Sequence, residues 1–81
     1  MSKIPRDVSG RQLARLLSKY GYKITRETGS HIRLVSRYHS NEHKITIPDH
    51  KSLKIGTLNS ILNEVANYLK IPKDELLKNL F

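Results

Sequence analysis

Hydrophobic positions along the chain change their spacing, and each change marks a new kind of element. Between Ser9 and Gly21 the apolar residues recur every three or four positions, which predicts an amphipathic helix over residues 10–20. Ser9 and Gln12 have the form of a capping box at its start, and Gly21 suits a left-handed stop at its end. The first predicted element is therefore a helix with one apolar stripe to bury.

From Tyr22 onwards apolar and polar residues alternate, as they do in strands with one buried face. Tyr22 and Ile24 belong to a first run, and Ile32 and Leu34 belong to a second. A third run over residues 43–48 ends at a proline, which cannot extend a ladder from within. The pattern predicts three short strands.

A helical period then returns in the last third of the chain. One helix is predicted to begin near residues 55–57 and to run to Leu69, with Gly56 allowing it to approach a neighbouring element closely. A short C-terminal helix is predicted over about 72–80, because a proline and two carboxylates stand in its first turn. The order α-β-β-β-α plus a short helix predicts an α+β fold, a three-stranded antiparallel sheet with helices on one face.

The hairpin between the first two strands decides which residues share a face. A two-residue loop would put Ile24 and Leu34 on opposite faces, so we expect a three-residue loop over 28–30 that pairs them on the inner face. The same register places Glu27 opposite His31 on the outer face. The other outer residues would be basic or hydroxyl side chains: Lys23, Thr25, Arg33, Arg37, Lys44 and Thr46.

Length and composition narrow the class of protein. A chain of 81 residues fits one domain, residues 1–81, and the absence of cysteine excludes disulfides and zinc–thiolate sites. No apolar run approaches the roughly 20 residues of a membrane-spanning helix, and the first residues lack the apolar stretch of a signal peptide. We expect a cytoplasmic protein that contacts no membrane and needs no metal or other cofactor.

The net charge of +8 is unevenly distributed. Residues 1–52 contain eleven basic and four acidic side chains, so the charge lies mainly in the first two thirds of the chain. Such a surface attracts a polyanion, either a nucleic acid or an acidic protein, although general solubility would also explain it. His39 and His43 are four residues apart, but their predicted loop favours a solvated tip over a metal pair.

Three motifs follow one another in the middle of the chain. They are Gly29-Ser30-His31, the segment Ile-Pro-Asp-His over residues 47–50, and the segment Leu-Lys-Ile-Gly-Thr-Leu over residues 53–58. In this order and spacing they resemble the HicA family of mRNA interferase toxins from bacterial and archaeal toxin–antitoxin systems. The resemblance covers about residues 9–69.

The resemblance implies a fold like the double-stranded-RNA-binding domain and a metal-independent endoribonuclease activity on messenger RNA. It also implies a HicB-type antitoxin that covers the active surface of the toxin. The histidine of the Gly-Ser-His motif is the catalytic residue in that family, and it corresponds here to His31.

Histidine suits this chemistry because its ordinary pKa, about 6.5, lets it exchange protons near neutral pH. As a base, His31 would take the proton of a ribose 2′-hydroxyl, which DNA lacks, so we expect RNA as the substrate and no DNA binding by this chain alone. No general acid is evident from the sequence. Possible auxiliary residues are Ser30, Glu27 and His50, and the expected RNA-binding residues are Arg33, Arg37, Lys23, Lys44 and Lys54.

Two other functions fit the same residues. The chain could be a non-catalytic RNA-binding module of the same fold, or an adaptor whose ligand is an acidic protein. Without the motifs, a histidine at a strand start is more often an ordinary surface residue than a catalyst. Replacement of His31 by alanine separates the enzyme from the binding module, since only the enzyme would lose its activity.

Overall fold

A three-stranded antiparallel sheet, covered by helices, forms the body of the protein. The computed structural model describes residues 4–81. Its elements are α1 (Gly10–Leu17), a 3₁₀ turn (Ser18–Tyr20), β1 (Lys23–Thr28), β2 (His31–Ser36), β3 (His43–Pro48), α2 (Ile55–Leu69) and α3 (Lys73–Leu80). The strands lie in the order β1-β2-β3. The predicted α+β fold and the short C-terminal helix are confirmed.

The apolar residues of β2 and β3 are buried on one face of the sheet, beneath the helices. Ile32 and Leu34 in β2, like Ile47 in β3, are fully buried, while Arg33 and Thr46 on the opposite face are exposed. Leucines of all three helices complete this core: Leu13, Leu17, Leu58, Leu62, Leu69, Leu76, Leu77 and Leu80. Within residues 4–81, no helix combines the length and the apolar composition needed to cross a bilayer.

The first predicted helix is divided into α1 and a tighter final turn. The Ser9 hydroxyl accepts a hydrogen bond from the Gln12 amide at 3.0 Å, as the capping box predicts. Gly21 ends the segment with φ of +77°, in the left-handed region that glycine adopts without strain. The helical period therefore predicts the position of the element, and the last turn tightens because Gly21 donates its amide to Ser18.

The hairpin between β1 and β2 has a shorter turn than predicted. Thr28 pairs with His31, so the turn consists of the two residues Gly29 and Ser30. Gly29 has φ of +54°, as two-residue hairpin turns commonly require. The predicted three-residue loop over 28–30 is therefore wrong.

A β-bulge in β1 reconciles this short turn with the apolar pattern. Ile24 faces Leu34 as predicted, because the register shifts by one residue at Thr25, but on this edge strand its side chain is 45% exposed and not buried as the alternation predicts. Beyond the bulge, Glu27 pairs with Ile32 and lies on the helix side of the sheet. Its predicted place opposite the histidine of the hairpin is wrong, since that prediction assumed a regular ladder.

Candidate functional site

A groove with basic walls crosses the outer face of the sheet. It has a volume of about 890 Å³, and residues of all three strands line it. Five of the lining residues are basic: Lys23, Arg26, Arg33, Arg37 and Lys44. We call this surface the basic groove. Four of its five basic residues were predicted from the sequence; the fifth, Arg26, was not.

Arg26 reaches the basic groove because of the bulge. With the register shifted at Thr25, Arg26 pairs directly with Arg33 of β2 on the outer face. Like charges opposite each other repel, so the pair favours an anionic ligand between or above the two side chains. Arg37 lies 3.1 Å from the Glu42 carboxylate, and Lys44 lies 3.7 Å from it, which moderates the charge at one end.

His31 lies in a second, adjoining depression of about 500 Å³ between the sheet and α2. We call it the histidine cleft. Its sheet side consists of His31, Thr46 and Pro48. Pro48 of β3 is the strand partner of His31. The helix side consists of residues of α2: Gly56, Thr57, Ser60, Ile61 and Glu64. Because Thr46 and Glu64 line both depressions, the cleft is continuous with the basic groove.

The three predicted auxiliary residues do not line the histidine cleft. Ser30 shapes the turn, and its carbonyl accepts a hydrogen bond from the Asp49 amide at 2.6 Å. Glu27 is hydrogen-bonded to Arg11 of α1, which raises the pKa of Arg11 and ties β1 to the helix layer. The His50 side chain is exposed, while its carbonyl accepts a hydrogen bond from the start of α1.

Lys54, the remaining predicted RNA contact, stands at the N-cap of α2. Its side chain is exposed, but it lines neither the basic groove nor the histidine cleft. A role for Lys54 would therefore require an RNA that extends past the helix start.

His39 and His43 are packed against tyrosines, so the prediction of a solvated tip is wrong. The ring of His43 stacks on Tyr68 with 4.8 Å between centroids. Its Nδ1 lies 2.7 Å from the Tyr22 hydroxyl, and its Nε2 lies 3.2 Å from a carboxylate oxygen of Glu64. Burial raises the pKa of Tyr22, and the neighbouring Tyr68 and Glu64 raise it further. Among residues 4–81, no group of three or more carboxylate or imidazole side chains is arranged to hold a metal ion.

Sequence reasoning missed the helix side of the histidine cleft. Gly56 was expected to allow a close approach, yet a Cβ there would meet nothing within 4 Å, so this expectation is wrong. Gly56, Ser60 and Glu64 are instead spaced by four residues and line the cleft along one face of α2. The four-residue spacing is present in the sequence, but any solvated face of a helix has the same spacing, so it does not identify a cleft.

Comparison with known proteins assigns the family. A family model described as the HicA toxin of bacterial toxin–antitoxin systems matches residues 10–66, which include β1 to β3, α1 and most of α2. No curated protein matches the chain. No solved structure matches it either. The matched region spans well over half of the chain and includes His31, the basic groove and the histidine cleft, and the chain belongs to the HicA family of toxins.

Proposed function

We propose that this toxin is a metal-independent endoribonuclease that cleaves messenger RNA, with His31 as its catalytic residue. The observation that carries the proposal is the continuity between the basic groove and the histidine cleft. A strand of RNA lying along the basic groove would pass the cleft at Thr46 and Glu64, so a phosphodiester would reach the imidazole.

The basic groove and His31 would have different roles, binding and proton transfer, because their side chains differ in type. The basic groove supplies five cations and no imidazole, which suits binding of phosphates without reference to base sequence. The exposed His31 supplies an imidazole, the side chain that most often serves as a general acid or base. The ribose 2′-hydroxyl is the nucleophile, which restricts the reaction to RNA.

The test is cleavage of a labelled messenger RNA transcript by the purified protein in the presence of EDTA. We expect His31→Ala to lower the cleavage rate by about 10²- to 10⁴-fold, the contribution of one positioned acid or base, while RNA affinity is retained. His50→Ala is the matched control, because its exposed imidazole lies outside the cleft. If the wild-type protein binds the transcript but never cuts it, the chain is a non-catalytic RNA-binding module.

Toxins of this family act within toxin–antitoxin systems, which implies an antitoxin partner. We propose that the partner is a HicB-type antitoxin and that it neutralises the toxin by covering the basic groove. Expression of the toxin should arrest growth, and co-expression of the antitoxin encoded beside it should restore growth. Charge reversal at Arg26 and Arg33, two of the groove residues, should weaken the complex.

A further inference from the structure

The histidine cleft contains a second titratable side chain. Among the residues that line it, His31 and Glu64 are the two whose side chains titrate, one on each wall. Gly56 and Ser60 occupy the two preceding positions on the same face of α2, and both are small. These two small residues leave the space beside the carboxylate open along that line of the helix.

A contact from His43 of β3 holds Glu64 in place, and the His43 ring is itself held by Tyr22, which precedes β1. Oε2 of Glu64 lies 3.2 Å from Nε2 of His43, and Nδ1 of the same ring lies 2.7 Å from the Tyr22 hydroxyl. The ring is further fixed by stacking on Tyr68. The side chain of His43 is only 18% exposed, whereas that of Glu64 is 61% exposed. One oxygen of the carboxylate is thus anchored, and the rest of the group faces solvent and the cleft.

The two ring nitrogens of His43 contact a hydroxyl on one side and a carboxylate on the other. Burial raises the pKa of Tyr22, so its hydroxyl keeps its proton and is able to donate it to Nδ1 of His43. When Nδ1 accepts, the N–H of the ring is at Nε2, and it donates to the carboxylate oxygen of Glu64 at 3.2 Å. That contact occupies one oxygen of Glu64, and the carboxylate has further lone pairs for a proton donor bound in the cleft.

We propose that Glu64 is a second catalytic residue: the general base that accepts the 2′-hydroxyl proton, with His31 as the general acid. This inference rests on the proposed ribonuclease function. It reverses the role of base that the sequence predicts for His31, because a carboxylate that accepts a proton and an imidazolium that donates one form a complete base–acid pair.

The reaction balances without a metal or other co-reactant. Glu64 takes the proton of the 2′-hydroxyl as the 2′-oxygen forms a bond to phosphorus. The bond from phosphorus to the 5′-oxygen breaks, and that oxygen takes a proton from the His31 imidazolium. The products are a 2′,3′-cyclic phosphate and a 5′-hydroxyl end. Arg26 and Arg33 of the basic groove would neutralise the phosphorane charge.

The sharpest variant is Glu64→Gln, because the amide oxygen still accepts from His43 but no longer takes up a proton at neutral pH. We expect the rate of transcript cleavage in EDTA to fall by about 10²- to 10⁴-fold, with RNA affinity and the melting temperature unchanged. Glu75→Gln in α3 is the matched control, since it makes the same chemical change at an exposed residue outside the cleft. Glu64→Asp, which withdraws the carboxylate by one methylene, should lower the rate without weakening RNA binding.

The two proposals fail in different ways. If His31→Ala is inactive while Glu64→Gln and Glu64→Asp both cleave at the wild-type rate, Glu64 is not catalytic and the ribonuclease proposal stands. If the Glu64 variants instead lose RNA affinity in proportion to rate, Glu64 contributes to binding, and the inference is overturned. If the wild-type protein never cleaves the transcript, the ribonuclease proposal fails, and this inference fails with it.

Discussion

Replacing Gly10 with alanine tests how closely α1 lies against the end of β3. Gly10 is the first residue of α1 and is buried. A Cβ atom there would overlap the Pro48 carbonyl oxygen, and would lie 3.0 Å from its carbonyl carbon and 3.2 Å from the Asp49 Cα. All of these are backbone atoms, so no side-chain rotation can make room. The helix start and the strand end must move apart.

The expected loss of stability follows from three terms. Overpacking of a tight site costs about 1–3 kcal/mol. Separation of the two segments also strains the 3.0 Å hydrogen bond from the Gly10 amide to the His50 carbonyl, worth about 1 kcal/mol. The greater helix propensity of alanine offsets this loss of stability by up to about 1 kcal/mol. We therefore expect a net loss of about 2 kcal/mol, which for a domain of this size lowers the melting temperature by about 8–16 °C.

The assay is equilibrium denaturation in urea together with a thermal melt, and the chain offers a matched control. Gly56 is also in the first turn of a helix, but a Cβ added there meets no atom within 4 Å. Gly56→Ala should therefore be as stable as the wild type or slightly more stable. An alanine at residue 10 that leaves the protein as stable as wild type would refute the proposed close contact between α1 and β3.

Three further changes test the groove, the buried tyrosine and the last helix. Arg26→Ala should weaken binding to a single-stranded RNA and lower the slope of log affinity against log salt by about 0.7. Lys78→Ala in α3 should leave both the affinity and the slope unchanged. Equal slopes for the wild type and both variants would exclude Arg26 from the RNA path. The pKa of Tyr22 is raised above 10.0, so its contribution to stability is complete below that pH and is lost as the pH rises through the folded-state value. Tyr22→Phe should accordingly flatten the alkaline fall in unfolding free energy by up to about 1.4 kcal/mol per pH unit, and parallel pH profiles would contradict this assignment. Leu76 is fully buried, so Leu76→Ala should cost about 2–5 kcal/mol; an unchanged urea midpoint would mean that α3 is not part of the cooperative fold.

Local patterns predict the elements of this protein better than they predict its contacts. The capping box at Ser9 and the left-handed stop at Gly21 were both visible because their signals lie within one turn of the chain. The cluster around His43 was not visible, since Tyr22 and Glu64 each lie 21 residues away from it along the chain. Polar residues in a predicted loop are expected to be solvated, and only the tertiary fold shows that a helix packs against them.

The hairpin register shows a second limit. Both turns considered from the sequence assumed a regular ladder, and under that assumption a two-residue turn separates Ile24 from Leu34. A bulge removes the conflict, but the bulged residue is a threonine, which carries no sequence signal for a bulge. The apolar pattern therefore identified the correct pair of residues together with the wrong turn.

The same bulge separates the charges of β1 according to sign. Past Thr25 it directs Arg26 to the outer face, beside Arg33, and it directs Glu27 to the helix side, where Arg11 binds its carboxylate. In a regular ladder with the predicted loop, Glu27 would have shared the outer face with the groove cations and would have repelled a phosphate backbone. Repulsion between the two paired arginines reduces the stability of the free protein, and a bound polyanion relieves it. The irregularity in the strand thus makes the outer face a better surface for a polyanion, and it leaves Glu64 of α2 as the carboxylate that lines the histidine cleft with His31.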